Sequence, residues 1–203
     1  MYEQILPRIG AACGALFVVL LFGLSSTGSH ATIVIVGELI GLLLFIPFIG
    51  YLCSILREAE GPGGWLATTA LGAGLVNIAI KLGSIAPGNA ADQFGDGTAT
   101  HQALDVMNST SFIATMLPLS VFMAAVATVI VRTRVLPRWL GWLAAITSPL
   151  LLVNGMYLDA EFGPAFLLFL LWTLLASVIL TIRSGDVGSR SKAVQASTSH
   201  SSP

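Results

Sequence analysis

The sequence predicts an all-α integral membrane protein, built as a bundle of six transmembrane helices. The first observation is composition: 55% of the 203 residues are hydrophobic and only 9% are charged, whereas soluble domains carry roughly 25% charged residues. The second is that long apolar stretches recur with short breaks, and a spanning helix needs about 20 such residues. Too few polar side chains remain to cover a soluble fold. No basic patch indicates nucleic acid, so we expect no nucleic-acid partner.

Six apolar segments follow one another along the chain. Their approximate bounds are 9–24, 32–56, 64–85, 103–131, 139–158 and 164–182. From Ser184 onward the chain is polar, rich in serine and aperiodic, which is typical of disorder. We therefore predict a six-helix transmembrane domain over 1–183 and a disordered cytoplasmic tail over 184–203.

The first segment also fits a second interpretation. Its apolar run is short, and small residues before Ala31 suit cleavage of a signal peptide after that residue. Against cleavage, Gly10 and Gly14 are spaced by four residues, which favours close packing of a retained helix on a neighbour. We expect the first helix to be retained.

The distribution of basic residues predicts the orientation and supports the number of spans. If every segment crosses the membrane, eight basic residues lie on one side: Arg8, Arg57, Arg132, Arg134, Arg138, Arg183, Arg190 and Lys192. The opposite loops contain no Lys or Arg and carry Asp92, Asp96, Asp159 and Glu161. Because basic loops stay in the cytoplasm, both termini are expected there, with the protein in the plasma membrane.

An internal repeat links the third and fifth segments. The sequence Gly-Trp-Leu-Ala at 64–67 recurs at 141–144, and Leu-Val-Asn at 75–77 recurs at 152–154 with the same offset. This pattern predicts that the hairpin of helices 2 and 3 is duplicated in helices 4 and 5, in the same orientation. Chance similarity between apolar segments is the alternative. In membrane proteins such repeats often form a site at their interface.

Two charged residues within the apolar segments are expected to meet. Glu38 lies about 10 Å below the outer end of its helix, at a rise of about 1.5 Å per residue, and Lys81 lies at a similar depth in the next helix. Because an isolated charge in a bilayer is costly, we predict a Glu38–Lys81 ion pair. The pair either belongs to a site or only holds the hairpin together. In a further alternative, Lys81 extends to the outer headgroups.

Amides and other polar side chains are predicted at the same depth. Asn77 lies one turn below Lys81 on one helix face, and Asn154 is its match in the repeat. Hydrogen bonding between helices would also explain both amides. The fourth segment opens with four polar residues on one face, for which a water-facing first turn is the alternative: His101, Asp105, Asn108 and Ser109. The predicted ligand-binding residues are Glu38, Asn77, Lys81, His101, Asp105, Asn108 and Asn154.

Three classes of function fit these residues. The leading hypothesis is a non-catalytic membrane protein whose polar cavity opens toward the outer leaflet and binds a small amphipathic ligand or a lipid, or helps a partner protein assemble. The alternative is a membrane-embedded enzyme that acts on an apolar or isoprenoid-like substrate, with Glu38 and Asp105 as acid and base. Less favoured is a proton-coupled transporter, whose path would require a homo-oligomer. Whether the protein is an enzyme stays open.

No resident cofactor or metal is expected. Glu38, His101 and Asp105 have no spacing that demands a metal ion. Cys13 and Cys53 lie in apolar helices, where we expect them to be small buried hydrophobic residues without a disulfide.

One short motif resembles a known family. The turn Leu136-Pro137-Arg138-Trp139-Leu140-Gly141, together with the opening Pro-Arg-Ile-Gly-Ala-Ala-Cys-Gly at 7–14, resembles the bacterial multi-pass family catalogued as domain of unknown function 4386. The resemblance covers most of the chain in topology. It implies an integral membrane protein and carries over no activity and no catalytic residues.

Overall fold

The computed structural model describes residues 2–25, 31–91, 93–94, 97–156 and 163–199, with side chains described from 8 to 21, from 33 within the second range, and up to 183. These residues form helices and contain no strand. The helices are α1 (Tyr2–Ser25), α2 (Ala31–Glu60), α3 (Leu66–Ala91), α4 (Ala99–Ala114), α5 (Met116–Thr133), α6 (Arg138–Met156) and α7 (Pro164–Ser199).

Five helical stretches of the described chain are long and apolar enough to cross a membrane. They are Ile33–Glu60, Leu66–Ala91, Ala99–Thr133, Arg138–Met156 and Pro164–Arg183. In α1 the shorter stretch Arg8–Leu21 is also apolar. The chain is therefore an all-α, multi-pass membrane protein, and the predicted fold class is confirmed.

The fourth predicted segment is divided in the structure. The sequence predicts one helix over 103–131, whereas α4 ends at Ala114 and α5 begins at Met116. The cause is Pro118, which has no N–H to donate to the carbonyl of Ala114 four residues earlier. Thr115 stays in right-handed helical backbone with φ −62° and ψ −23°, so α4 and α5 together still form one span.

The last helix is longer than its apolar stretch. α7 continues to Ser199, and the disordered tail expected from residue 184 stays a prediction. No proline occurs between Pro164 and Pro203, so every residue along α7 after its first can supply the N–H that a helix requires. The acidic loop residues Asp92, Asp96, Asp159 and Glu161 lie outside the described residues.

The chain divides into two compact units, and unit 1 comprises Met1–Tyr51 and Thr173–Pro203. In unit 1 the glycines of α1 allow close packing on α2. A Cβ atom at Gly14 would lie 2.6 Å from the ring of Phe48, and one at Gly10 would lie 2.9 Å from the Cβ of Tyr51. The expected role of both glycines in helix packing is confirmed.

Ser177 joins α1 to α7 within unit 1. Its hydroxyl donates to the carbonyl of Ala11 and accepts from the N–H of Ala15 at 2.9 Å. These two backbone groups would ordinarily bond to each other within α1, so the hydroxyl is inserted between them. Ser177 is fully buried, and this contact fixes the two helices at that level.

Unit 2 comprises Leu52–Trp172, and α5 is its central helix. Both α3 and α6 pack against α5, while α3 also packs against α4. A Cβ atom at Gly141 would lie 2.9 Å from Ile130, and the hydroxyl of Ser148 donates to the carbonyl of Ser120 at 2.8 Å. The indole N–H of Trp172 donates to the carbonyl of Leu140 at 3.0 Å.

The two copies of the sequence repeat have matching environments in unit 2. Trp65 and Trp142 are exposed, by 66% and 59%. The matched alanines, Ala67 and Ala144, are both buried. Both helices thus turn the same face of the repeat inward, and both pack on α5. This agreement supports the duplication. The duplication stays a prediction because α2, the first helix of one hairpin, lies partly in unit 1, whereas α4 and α5 lie in unit 2.

A carboxylate holds the start of α3. Glu60, the last residue of α2, accepts hydrogen bonds from the N–H groups of Leu66 at 3.1 Å and Ala67 at 3.0 Å. The first N–H groups of a helix have no partner within it, and a negative charge there also interacts favourably with the helix dipole. The turn between the helices requires glycine at Gly61 and Gly63, where φ is +80° and +86°.

Replacing Glu60 with glutamine is expected to lower the free energy of unfolding by about 1 kcal/mol, because the cap loses its charge and one acceptor oxygen. Thermal unfolding in detergent measures the change. Glu58→Gln is the matched control, since Glu58 is exposed and caps nothing in the described structure. Equal effects of the two substitutions would contradict the capping role.

Candidate functional site

Lys81 and Phe112 form the centre of the candidate site. The ammonium of Lys81, on α3, lies 4.8 Å from the centroid of the Phe112 ring on α4. Phe112 in turn meets Phe166 of α7 edge to face, with centroids 5.4 Å apart, and Phe166 lies 6.0 Å from Phe169. The negative face of an aromatic ring attracts a cation. The lysine therefore packs against a cluster of three aromatic rings from α4 and α7.

A second contact sets the register of α3 against α4. A Cβ atom at Gly88 would lie 3.2 Å from the side-chain amide of Asn108. Gly88 follows Lys81 in α3, whereas its partner Asn108 precedes Phe112 in α4, so the two helices run antiparallel. By this register Asn77, one turn before Lys81, lies at the level of Thr115 and Met116. Lys81, Asn108 and Asn77 thus line the α3–α4–α5 side of unit 2.

Asn77 is a buried polar residue on this face, and its amide has no hydrogen-bond partner among the described residues. It is only 8% exposed, and in the described structure its side chain makes no hydrogen bond. Every fully inaccessible side-chain nitrogen or oxygen among the described residues has a hydrogen-bond partner. The small accessible area of Asn77 therefore includes the nitrogen and the oxygen of its amide. Buried amides are nearly always bonded, so this one is available to an outside partner.

Asn154, the match of Asn77 in the repeat, has a partner. It is half-buried, and its Nδ2 atom donates to the sulfur of Met116 at 3.6 Å. A Cβ atom at Gly163 would lie 2.8 Å from its Oδ1 atom, so the backbone approaches the amide closely there. Both asparagines thus lie at the level of Met116, Asn77 on α3 and Asn154 on α6.

The polar opening of α4 is arranged around its cap. The hydroxyl of Thr98 accepts from the N–H of His101 at 3.2 Å, and His101 is half-buried. Asp105 is exposed, while the hydroxyl of Ser109 donates to the carbonyl of Val106 within the same helix at 3.1 Å. Asp105 shares the helix face of Asn108 and Phe112, two turns before the ring, but its side chain is exposed near the start of α4.

Glu38 lies in unit 1, half-buried on α2 between the buried glycines Gly37 and Gly41. A Cβ atom at Gly41 would lie 3.5 Å from the Phe17 ring, so α1 approaches this part of α2. Lys81 belongs to unit 2. The Glu38–Lys81 ion pair stays a prediction.

Sequence reasoning does not identify the aromatic partners of Lys81. Phe112, Phe166 and Phe169 occur among many apolar residues, and nothing in their spacing marks them. The only available signal is general: a lysine inside an apolar helix requires a partner, and an aromatic ring can serve as one.

Cys13 and Cys53 are buried free thiols, as predicted. Across the part of the chain that the structure describes, no group of three or more His, Cys, Asp or Glu side chains is placed to hold a metal ion.

Comparisons of the chain with protein-family models, curated proteins and solved structures found no match. Membership in the family that the sequence resembles therefore stays a prediction. The helices and their apolar lengths support the description of the chain as a multi-pass, all-α membrane protein.

Proposed function

We propose that this chain is a plasma-membrane protein that binds a small amphipathic ligand, such as a lipid, at the α3–α4 face of unit 2. The observation that carries the proposal is Asn77, a residue only 8% exposed whose amide has no hydrogen-bond partner in the described structure. An unpaired amide in an apolar environment costs about 1–3 kcal/mol on protein scales. A ligand head that bonds to Asn77 removes that cost.

The neighbouring side chains suit the two parts of such a ligand. Lys81 and Asn108 offer hydrogen-bond donors on the same side as Asn77. The Phe112 ring and the exposed Val76 beside Asn77 offer apolar surface. The polar head of such a ligand would bond to these donors, and its apolar tail would lie in the bilayer against the apolar surface. No helix would have to move.

The proposed orientation places both termini in the cytoplasm. The four arginines of unit 2 that border its membrane helices are exposed, and they lie at the end where α5 stops and α3 and α6 start: Arg57, Arg132, Arg134 and Arg138. Three exposed tryptophans, Trp65, Trp139 and Trp142, lie at the same end, as indole rings do at a membrane interface. The ligand site then opens toward the outer leaflet.

The replacement Asn77→Leu separates a binding role from a structural one. Since the amide has no described protein partner, leucine should leave the free energy of unfolding unchanged, or raise it by about 1 kcal/mol, when no ligand is present. The same variant should lose the lipid that copurifies with the protein, as measured by native mass spectrometry from mild detergent.

Asn89→Leu is the matched control, because it makes the same change on another face of α3. It should keep the bound lipid. If Asn77→Leu retains lipid at the wild-type level, or if it destabilises the lipid-free protein by more than about 1 kcal/mol, Asn77 only links helices and the proposal is wrong.

A further inference from the structure

We infer that one end of unit 2 is a docking surface for acidic phospholipids, whose phosphate groups it binds through arginine side chains. This surface, the basic end, consists of the four arginines that border the membrane helices of the unit: Arg57, Arg132, Arg134 and Arg138. It lies at the start of α3, roughly 20 Å along the helix axis from the level of Lys81. The basic end is therefore separate from the ligand site proposed above.

The fold brings the four arginines to the same end. α3 runs antiparallel to α4, and α4 and α5 form one span, so α3 begins at the level where α5 ends. Arg57 lies in the last turn of α2, just before Glu60, which caps α3. Arg132 lies in the last turn of α5, Arg134 follows that helix, and Arg138 begins α6. Three helix ends thus contribute cations to one surface.

Other protein groups do not neutralise this charge. All four arginines are exposed, and none of their guanidinium groups makes a hydrogen bond or an ion pair among the described residues. Two carboxylates occur at the same end. Glu60 accepts hydrogen bonds from the backbone of α3, and Glu58 is exposed. Because four cations face two anions here, the surface keeps a net positive charge and favours an anionic partner.

Arg134 occupies a backbone conformation that favours glycine. It caps the end of α5 with φ 56° and ψ 25°, and its N–H donates to the carbonyl of Ile130 at 2.9 Å. Among the described residues it is the only one other than glycine with a positive φ. Glycine is the usual residue at such a position because it lacks a Cβ atom. An arginine kept against this preference indicates a role for its side chain.

The exposed tryptophans indicate that the partner is a lipid. Trp65, Trp139 and Trp142 lie at the basic end and are exposed by 66%, 51% and 59%, and indole rings favour the headgroup level of a bilayer. The arginines occur at the same helix ends, so their long side chains reach the same layer. A guanidinium matches the paired oxygens of a phosphate. A headgroup with a net negative charge is favoured over phosphatidylcholine, whose choline cation the arginines repel.

Orientation of the chain in the membrane is the alternative role for these residues. The positive-inside rule counts lysine and arginine alike. It requires neither that all four residues be arginine nor that one of them adopt a positive φ. Recognition of phosphate accounts for both features, since lysine cannot form the paired hydrogen bonds that a guanidinium forms.

The test uses the full chain in phosphatidylcholine vesicles and the fluorescence of its tryptophans. A fixed minority of the lipid is either phosphatidylglycerol or phosphatidylcholine, brominated near the headgroup end of its acyl chains so that it quenches adjacent indoles. The three exposed tryptophans report the lipid at the basic end, whereas Trp172 is fully buried and gives a constant background. We expect quenching to show that phosphatidylglycerol is preferred by about fivefold or more. Equal quenching would overturn the inference and leave the arginines to orient the chain or to bind an acidic partner protein.

Substitutions then assign the preference to the arginines. Replacing Arg132, Arg134 and Arg138 together with glutamine should bring the preference close to one. Arg134→Gly should reduce it by about half or more, while the melting temperature stays the same or rises, because glycine adopts a positive φ without steric cost. Glu58→Gln is the matched control, since it removes a negative charge from the same end and should preserve or increase the preference.

Salt provides a test on the wild-type protein. Raising the ionic strength from about 0.1 M to about 1 M shortens the Debye length from about 10 Å to about 3 Å, which should weaken the preference for phosphatidylglycerol. A preference that survives both high salt and the triple substitution would show that these arginines do not bind the lipid. A lower melting temperature of Arg134→Gly with an unchanged preference would assign Arg134 to the fold and contradict its role here. Neither result bears on Asn77, whose ligand is measured by the mass of bound lipid.

Discussion

Replacing Gly14 with valine is expected to lower the free energy of unfolding by about 3 kcal/mol, or to prevent folding in the membrane altogether. A Cβ atom at this position would lie 2.6 Å from Cδ2 and 2.8 Å from Cε2 of Phe48. Phe48 is fully buried and lies beside Phe45, with ring centroids 5.8 Å apart. The ring therefore cannot move aside without disturbing its neighbour, and overpacking of this kind usually costs about 1–3 kcal/mol or more.

The control for this substitution is Gly50→Val on α2. Gly50 is exposed, and a Cβ atom there would meet nothing within 4 Å. The two variants share the change in composition and in helix propensity, so their difference isolates the clash. Yield of folded protein and thermal unfolding in detergent both report it. Equal stability of the two variants would show that α1 does not pack on α2 as the structure describes.

Replacing Trp172 with alanine is expected to lower the free energy of unfolding by about 3–5 kcal/mol. The indole is fully buried in unit 2 and meets the ring of Phe122 edge to face at 6.3 Å. Alanine would leave a large cavity between the helices. It would also remove the donor that the carbonyl of Leu140 receives at 3.0 Å. Thermal unfolding in detergent measures the loss.

Two further variants separate the lost hydrogen bond of Trp172 from the lost volume of its buried ring. Trp172→Phe keeps most of the ring volume but removes the N–H, so it should cost about 1 kcal/mol for the lost hydrogen bond, with some added loss of volume. Trp142→Ala should change stability little, since Trp142 is 59% exposed. A loss for Trp142→Ala as large as that for Trp172→Ala would show that indole burial in unit 2 does not determine stability.

The sequence predicts the membrane helices well because each one is recognised from the composition of about 20 residues. A single polar residue within such a stretch does not change the prediction. The sequence does not predict the break at Thr115. Pro118 removes one backbone hydrogen bond, to the carbonyl of Ala114, and this loss does not change the apolar composition of the segment. After Ser184 the polar composition removes the apolar signal without removing the ability to form a helix, and the disorder expected there stays a prediction.

The candidate site is predicted in part. Asn77 and Lys81 share a face of α3 because helical spacing alone requires it. Their surroundings depend on which helix packs against α3, and sequence does not determine that packing. Asp105 therefore turns out exposed, although its spacing places it among the other polar residues of α4. The pairing predicted between Glu38 and Lys81 depends on the two units together, which spacing within a helix cannot establish.

The carboxylate of Glu60 supplies to the first turn of α3 the acceptors that water supplies at an exposed helix end. Two amides that would otherwise need hydration are satisfied within the hairpin itself. The start of α3 can therefore sit at the boundary of the hydrocarbon without drawing water inward. These two hydrogen bonds reduce the hydration that the backbone needs at this end of α3, so its side chains and the indole of Trp65 contribute more to its depth in the bilayer.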